Sequence, residues 1–189
     1  ILINGMLTNC EIWYGITENE VSQLEEVDRL LLRKVLNVPI SCPIEALCLE
    51  LGCVPVSLVI KSRRVSYLHH QATRDENEML SRFFHTQWNY PAKKNDWTEQ
   101  VRADLAELGL DEELSWPIKK SKQSFKKLVK KQVRELALLR LIQNKDGHSK
   151  MTNLEYTNLE MQEYLKNMEM KSNQAKIVFS FRTRMAKYS

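Results

Sequence analysis

The sequence predicts an all-α chain, and three observations carry that prediction. Apolar residues recur at i, i+3 and i+4 in one segment after another. The segments open on capping sequences or proline and close on glycine or before proline, as helices do. Five glycines and five prolines in 189 residues are also too few for an all-β protein built on tight turns.

Taken in order, Ile3, Met6, Leu7, Cys10, Trp13 and Tyr14 place a first helix over residues 1–14, stopping at Gly15. Thr17-Glu18-Asn19-Glu20 is a capping box, in which hydroxyl and carboxylate satisfy two orphan N–H groups. It opens a helix with Leu24, Val27, Leu31 and Val35 on one stripe, closed before Pro39. Ser41-Cys42-Pro43 starts a short helix that Gly52 ends, with proline where its missing N–H is harmless. Pro55 opens the next, with Leu58, Val59, Val65, Leu68 and Ala72 inward. A further helix near 75–89 carries Met79, Leu80, Phe83 and Phe84. Residues 89–95, with Pro91 and two lysines, read as a linker. Asp96-Trp97-Thr98-Glu99 caps a helix with Trp97, Val101, Leu105 and Leu108, closed by Gly109. Pro117 breaks the following stretch, and a basic helix runs from about Ser121 to Asn144. Its later part, 137–142, is apolar almost all round and is expected to be deeply buried or paired. Asp146-Gly147 reads as a turn. The last helix, about 173–187, turns Ile177, Val178, Phe181 and Met185 to one face. Glu-Leu-Gly occurs at 50–52 and 107–109 as two helix endings, not a repeat.

The net charge of +4 and the isoelectric point near 8.8 conceal an uneven distribution. Residues 1–38 carry six acids against Arg29, Arg33 and Lys34. In contrast, Lys119, Lys120, Lys122, Lys126, Lys127, Lys130, Lys131 and Arg134 fall within positions 119–134 without one acid. Such density costs self-repulsion and suits a polyanion, nucleic acid before an anionic membrane. The segment is amphipathic: Phe125, Leu128, Val129, Val133 and Leu136 share one side, and Lys127, Lys130, Lys131 and Arg134 lie opposite. A solvated helix face is the competing reading. Lys61, Arg63 and Arg64 form a smaller basic patch, open to a phosphate contact or to an ion pair with an acid such as Glu50. Trp88 and Tyr90 before Lys93 and Lys94, and Phe179 and Phe181 beside Arg182 and Arg184, set aromatics next to cations, a pairing that suits single strands. Phe181 falls on the apolar stripe and reads better as core.

Other function classes find little support. The six aspartates are scattered, with none adjacent, so paired metal-binding carboxylates for phosphoryl transfer are not visible. There is no H-E-x-x-H, P-loop or glycine-rich dinucleotide turn. His69 and His70 are neighbours on a helix and point about 100° apart, so they do not grip one metal together. Cys10, Cys42, Cys48 and Cys53 lack zinc-ligand spacing and read as reduced, buried thiols of an intracellular protein. No apolar run approaches the ~20 residues of a membrane span. The chain starts Ile-Leu-Ile and ends within a basic helical pattern, and is expected to be a piece of something longer.

The order of several motifs resembles the region just after the palm of non-LTR (LINE-like) retrotransposon reverse transcriptases. The resemblance runs through 7–14 (Leu-Thr-Asn-Cys-Glu-Ile-Trp-Tyr), 21–28 (Val-Ser-Gln-Leu-Glu-Glu-Val-Asp) and 32–36 (Leu-Arg-Lys-Val-Leu). It continues through 43–52, Arg63-Arg64 with Tyr67-Leu68-His69-His70, Asn95-Asp96-Trp97, 125–130, His148-Ser149-Lys150, 159–165 and 181–185, and so covers nearly the whole chain. The aromatic-x-Asp-Asp polymerase motif, the fingers, the zinc knuckle and the endonuclease of that family are not in these residues. The resemblance implies a non-enzymatic thumb-and-linker fragment: thumb-like helices at 1–38, a first helical linker at 39–90 and a basic helical linker at 91–189. The thumb of such enzymes grips template–primer duplex, and the linker helps hold template RNA or target DNA during target-primed reverse transcription. The implied partners are RNA or DNA and the remainder of a polyprotein, with no membrane and no cofactor, in the nucleus at the site of integration. The contact residues expected from charge and helical face are Lys127, Lys130, Lys131 and Arg134, supported by Lys119, Lys120, Lys122, Lys126, Arg63 and Arg64. The rival expectation is a structural module that packs on the rest of the polyprotein without touching nucleic acid.

Overall fold

The helical patterning resolves into α1 (Leu2–Met6), a 3-10 turn at Cys10–Ile12, α2 (Glu18–Leu36), α3 (Ile44–Leu51), α4 (Val56–Ala72), α5 (Met79–Asn89), α6 (Trp97–Glu107), α7 (Lys122–Lys145), α8 (Glu163–Lys166) and α9 (Ser172–Arg182). These elements come from a computed structural model that describes residues 2–75, 77–90, 96–111, 121–145, 155–166 and 171–183. Among the described residues the fold is all-α, and the β contact present is an isolated antiparallel bridge between Leu51 and Met161. The expected linker 91–95, the Pro117 break, the Asp146-Gly147 turn and residues 184–187 of the last helix lie outside the described residues.

The ends of the helices follow the chemistry of their caps. The Thr17 backbone N–H donates to Glu20 Oε2 at 2.8 Å, and the Glu20 N–H donates to Thr17 Oγ1 at 3.3 Å, closing the capping box. Asp96 Oδ1 accepts from the Glu99 N–H at 2.8 Å at the start of α6. Three helices end in the same wrapped turn: Val38 N–H to the Arg33 carbonyl (3.0 Å), Cys53 to Cys48 (2.9 Å) and Leu110 to Leu105 (2.9 Å). Each needs a left-handed residue in the turn, supplied by Asn37 (φ 52°), Gly52 (φ 65°) and Gly109 (φ 62°).

The first expected helix does not run through residue 14. Thr8 Oγ1 donates back to the Gly5 carbonyl at 2.8 Å, and Asn9 takes a left-handed φ of 58°, so α1 stops and a 3-10 turn follows. Likewise α5 starts at Met79 because Asp75 accepts from the Asn77 N–H at 2.9 Å and holds a turn there.

Contacts gather the chain into two units interleaved in sequence: residues 1–21 with 57–133, and 22–56 with 134–189. The expected boundaries at 38 and 90 fall inside the second and first unit, respectively. In the first unit α4 buries Leu58, Val65 and Leu68, α6 buries Val101 and Leu105, and Phe84 and Phe125 join them. The indole of Trp97 donates to the Glu11 carbonyl at 2.8 Å and meets Tyr67 edge-on at 5.9 Å. Arg102 reaches the Trp88 carbonyl at 2.6 Å with its guanidinium 4.8 Å from that ring, so Trp88 is engaged within the unit.

The second unit is built around Glu50, which is fully buried on α3. Its carboxylate accepts from Tyr156 Oη at 2.6 Å and from Arg182 Nε at 3.1 Å, and its carbonyl accepts from the Gln162 N–H at 2.9 Å. These bonds tie α3 to residues more than a hundred positions later. They also set the rotation of α9: Phe179 and Thr183 are buried, while Ile177 and Phe181 are 54% and 59% exposed. Of the expected inward face, Ile177 and Phe181 therefore point outward, Val178 is half-buried and Met185 lies outside the described residues. A similar correction applies to α2, where Asp28, Leu32 and Leu36 form the buried row and Val27 and Val35 are exposed. On α5, Phe84 is buried, but Met79, Leu80 and Phe83 face outward.

Candidate nucleic-acid interface

Helix α7 begins at a serine cap, Ser121 Oγ accepting from the Ser124 N–H at 3.3 Å. Phe125, Val129 and Val133 form a buried row at i+4 spacing, and the His69 ring of α4 stacks on Phe125 at 4.5 Å. That contact fixes the azimuth of the helix in the first unit and sorts its lysines into two sets. Lys127 and Lys131 sit roughly opposite the buried row, at ~100° per residue, Lys130 lies between them and the row, and all three are exposed. Among the described residues no carboxylate pairs with Lys127 or Lys130. Lys122 and Lys126 lie on the flank of the row instead. They line a groove of about 440 Å³ with Arg63, Ser66, Tyr67 and His70 of α4, and with Glu11.

The other expected contacts are placed differently. Arg64 is buried, with Nε 2.9 Å from Asp104 Oδ2 and its guanidinium donating to the Trp13 carbonyl at 3.2 Å and to the Gln100 side chain. It is an internal ion pair, with Asp104 in place of the acid expected at Glu50, and the expectation of a phosphate contact there is withdrawn. Lys61 bridges to Glu107 at 2.5 Å on the same face. Burial pushes the Asp104 carboxyl up to about 6 despite Arg64 and Lys61 beside it. Arg63 is half-buried and donates to the Leu7 carbonyl at 2.6 Å and to Asn4 Oδ1 at 2.7 Å, so it adds charge to the groove while holding the N-terminal turn. Arg134, the first α7 residue of the second unit, lies 4.0 Å from Glu160, an exposed and weak pair. Lys119 and Lys120 lie outside the described residues.

Further along α7, Ala137 and Leu141 are buried, but Leu139 is 59% exposed, so the expected deep burial of 137–142 holds for one face only. The groove was not anticipated as a unit, although its signal was present. Lys122 and Lys126 are four residues apart beside the Phe125–Val129 row, and Arg63, Tyr67 and His70 follow at spacings of four and three on α4. His70 is held below its ordinary pKa by burial, then by Arg74 and Lys122, so at neutral pH it contributes hydrogen bonding and not charge.

The chemistry available is ionic and hydrogen-bonding. All four cysteines are free thiols, and burial raises Cys42 to about 12 and Cys53 to about 11, keeping both protonated. Among the described residues no group of three His, Cys, Asp or Glu side chains gathers as a metal site, and no helix is long and apolar enough to cross a membrane. No protein-family model, curated protein or solved structure matches this chain.

Proposed function

We propose that this chain binds nucleic-acid backbone through the outer face of α7. The observation that carries the reading is the lysine set Lys127, Lys130 and Lys131, exposed and turned away from a buried apolar row whose His69–Phe125 contact orients the helix. Between Lys127 and Lys131 the helix rises about 6 Å at ~1.5 Å per residue, a span that meets adjacent phosphates of one strand. Lysine ammonium groups act there as point charges and supply affinity without base information. The setting that fits is the thumb-and-linker part of a non-LTR retrotransposon reverse transcriptase, non-catalytic by itself. There it would hold template RNA, target DNA or their hybrid in the nucleus during target-primed synthesis.

The test is binding of the full chain to labelled duplex DNAs of unrelated sequence, with Lys127→Gln/Lys130→Gln/Lys131→Gln as the variant. The reading requires wild-type binding to all of them and a uniform weakening in the variant, because phosphate contacts do not discriminate sequence. Equal affinity for wild type and variant would refute it.

The structural-module reading has an observation of its own. On α2 and the turn after it, Val27, Leu30, Val35 and Ile40 are 42%, 49%, 68% and 74% exposed, an apolar surface suited to burial against protein. Loss of solubility or self-association that Val27→Lys/Val35→Lys corrects would favour it.

A further inference from the structure

Beside the cationic groove of the first unit lies a second cavity, of about 290 Å³, that shares Tyr67 as a wall. Its remaining lining is mostly aromatic and apolar, with Tyr14, Phe83 and Trp97 prominent. Tyr14 and Phe83 are 65% and 63% exposed at its rim, while Trp97 is anchored by its bond to the Glu11 carbonyl. Two glutamines, Gln71 and Gln87, break the pattern, and Gln71 is the buried one of the two. Gln71 lines the cavity, is 7% exposed, and its side-chain amide has no hydrogen-bond partner among the described residues.

An amide that opens on a cleft can meet a ligand's donors and acceptors. The amide offers two N–H donors and a carbonyl acceptor in one plane. Aromatic walls select a flat ligand that stacks. The flanking groove adds Arg63, Lys122 and Lys126 against the single acid Glu11, so the same ligand carries negative charge on one side of its ring. A flat, stacking, hydrogen-bonding group attached to an anion is a nucleotide.

We propose that the cavity takes an unpaired base of a single strand, read at its edge by Gln71, while the adjoining phosphates lie along Lys122, Lys126 and Arg63. This deepens the nucleic-acid reading and rests on it. The base stacks in the space bounded by Phe83, Tyr14 and Tyr67, as bases stack on aromatic side chains wherever single strands are held. Duplex cannot use the cavity without a base leaving its stack, so the pocket favours single strands, and the outer lysine face of α7 serves both forms.

The experiment measures fluorescence anisotropy of the full chain with a labelled single-stranded DNA of about 12 nucleotides, and with the same strand annealed to its complement. The variants are Phe83→Ala, Gln71→Met and the triple lysine variant of α7. Phe83 is exposed and Gln71→Met exchanges unbranched side chains of similar size and helix propensity, so both variants should melt close to the wild-type temperature. Each should weaken single-strand binding at least about fivefold, the lower end of what one stacked base contributes, and leave duplex binding unchanged. The triple lysine variant should weaken both. If wild type binds and both pocket variants bind single strands as it does, or lose duplex binding equally, the pocket proposal is overturned and the backbone reading stands. If wild type binds neither form, the backbone reading fails and the pocket proposal with it.

Discussion

Glu50 and Arg182 form a pair whose two halves should fail unequally. The carboxylate is fully buried, whereas the Arg182 side chain retains 37% of its exposure. Changing Glu50 to Gln keeps volume and leaves an arginine that can turn toward water, and the amide still accepts from Tyr156. The loss is then the charge assistance of two hydrogen bonds, about 1–2 kcal/mol. Changing Arg182 to Leu leaves a carboxylate at zero exposure with the Tyr156 hydroxyl still donating to it. Stranding a buried charge costs about 3–5 kcal/mol, reduced here toward ~3 because the lost cation was itself part-exposed. Urea unfolding followed by circular dichroism at pH 7 measures each loss. Equal losses would show that removing Arg182 does not strand the Glu50 carboxylate in the folded chain.

Gly52→Ala should be far worse than Gly109→Ala. Both glycines have positive φ, which costs an L-residue ~1–2 kcal/mol, but a Cβ at 52 would lie 2.5 Å from the Glu160 carbonyl carbon and closer still to the Met161 nitrogen, while nothing lies within 4 Å at 109. Comparable melting temperatures for the two variants would contradict this packing. Asp28 is buried with Oδ1 unpaired, and desolvation followed by the charge of Glu25 raises its carboxyl to about 6. The folded chain thus holds its proton between about pH 4 and 6 where the unfolded chain does not, so this residue's contribution is present at low pH and lost as pH rises through 6. Asp28→Asn should therefore stabilise the chain by about 1–3 kcal/mol at pH 7 and flatten the fall in stability from pH 4 to 6, as thermal melts across that range would reveal. Asp96→Ala should lower stability by about 1 kcal/mol through loss of the α6 cap, and an unchanged melt would show the cap to be idle.

Local chemistry was legible in the sequence where neighbours decide it. The Thr17–Glu20 box, the Asp96 cap and the Gly52 and Gly109 endings are settled within a few residues, and each forms as its sequence predicts. Asn37 does the same work at the end of α2, but Pro39 drew attention as the stop. The inward faces expected for α2 and α9 differ from the packed ones for one shared reason. Each carries apolar residues on more than one side, and periodicity does not say which side is packed. On α9 the choice falls to Arg182 reaching Glu50, 132 positions away in sequence, and no local pattern encodes that pairing. For the candidate interface, charge density located α7 and its amphipathicity located the outer lysines. Helical phase sets Lys127 and Lys131 apart from Lys122, Lys126 and Lys130, which follow one another at i+4 spacing. Arg64 was misplaced because an arginine beside another arginine reads as a surface patch until its buried partner, Asp104, is known.

If the outer lysines of α7 neutralise phosphates, duplex DNA binding must weaken with salt in proportion to their number. Each phosphate neutralised contributes a slope of about −0.9 in log affinity against log salt. With Lys127, Lys130 and Lys131 engaged, Lys127→Gln/Lys130→Gln/Lys131→Gln should flatten the wild-type slope by about 2–3 units, with helicity nearly unchanged because glutamine and lysine are similar helix formers. The same slope in wild type and variant would mean that this face meets solvent or protein, and the account of α7 as a nucleic-acid-binding helix would be wrong.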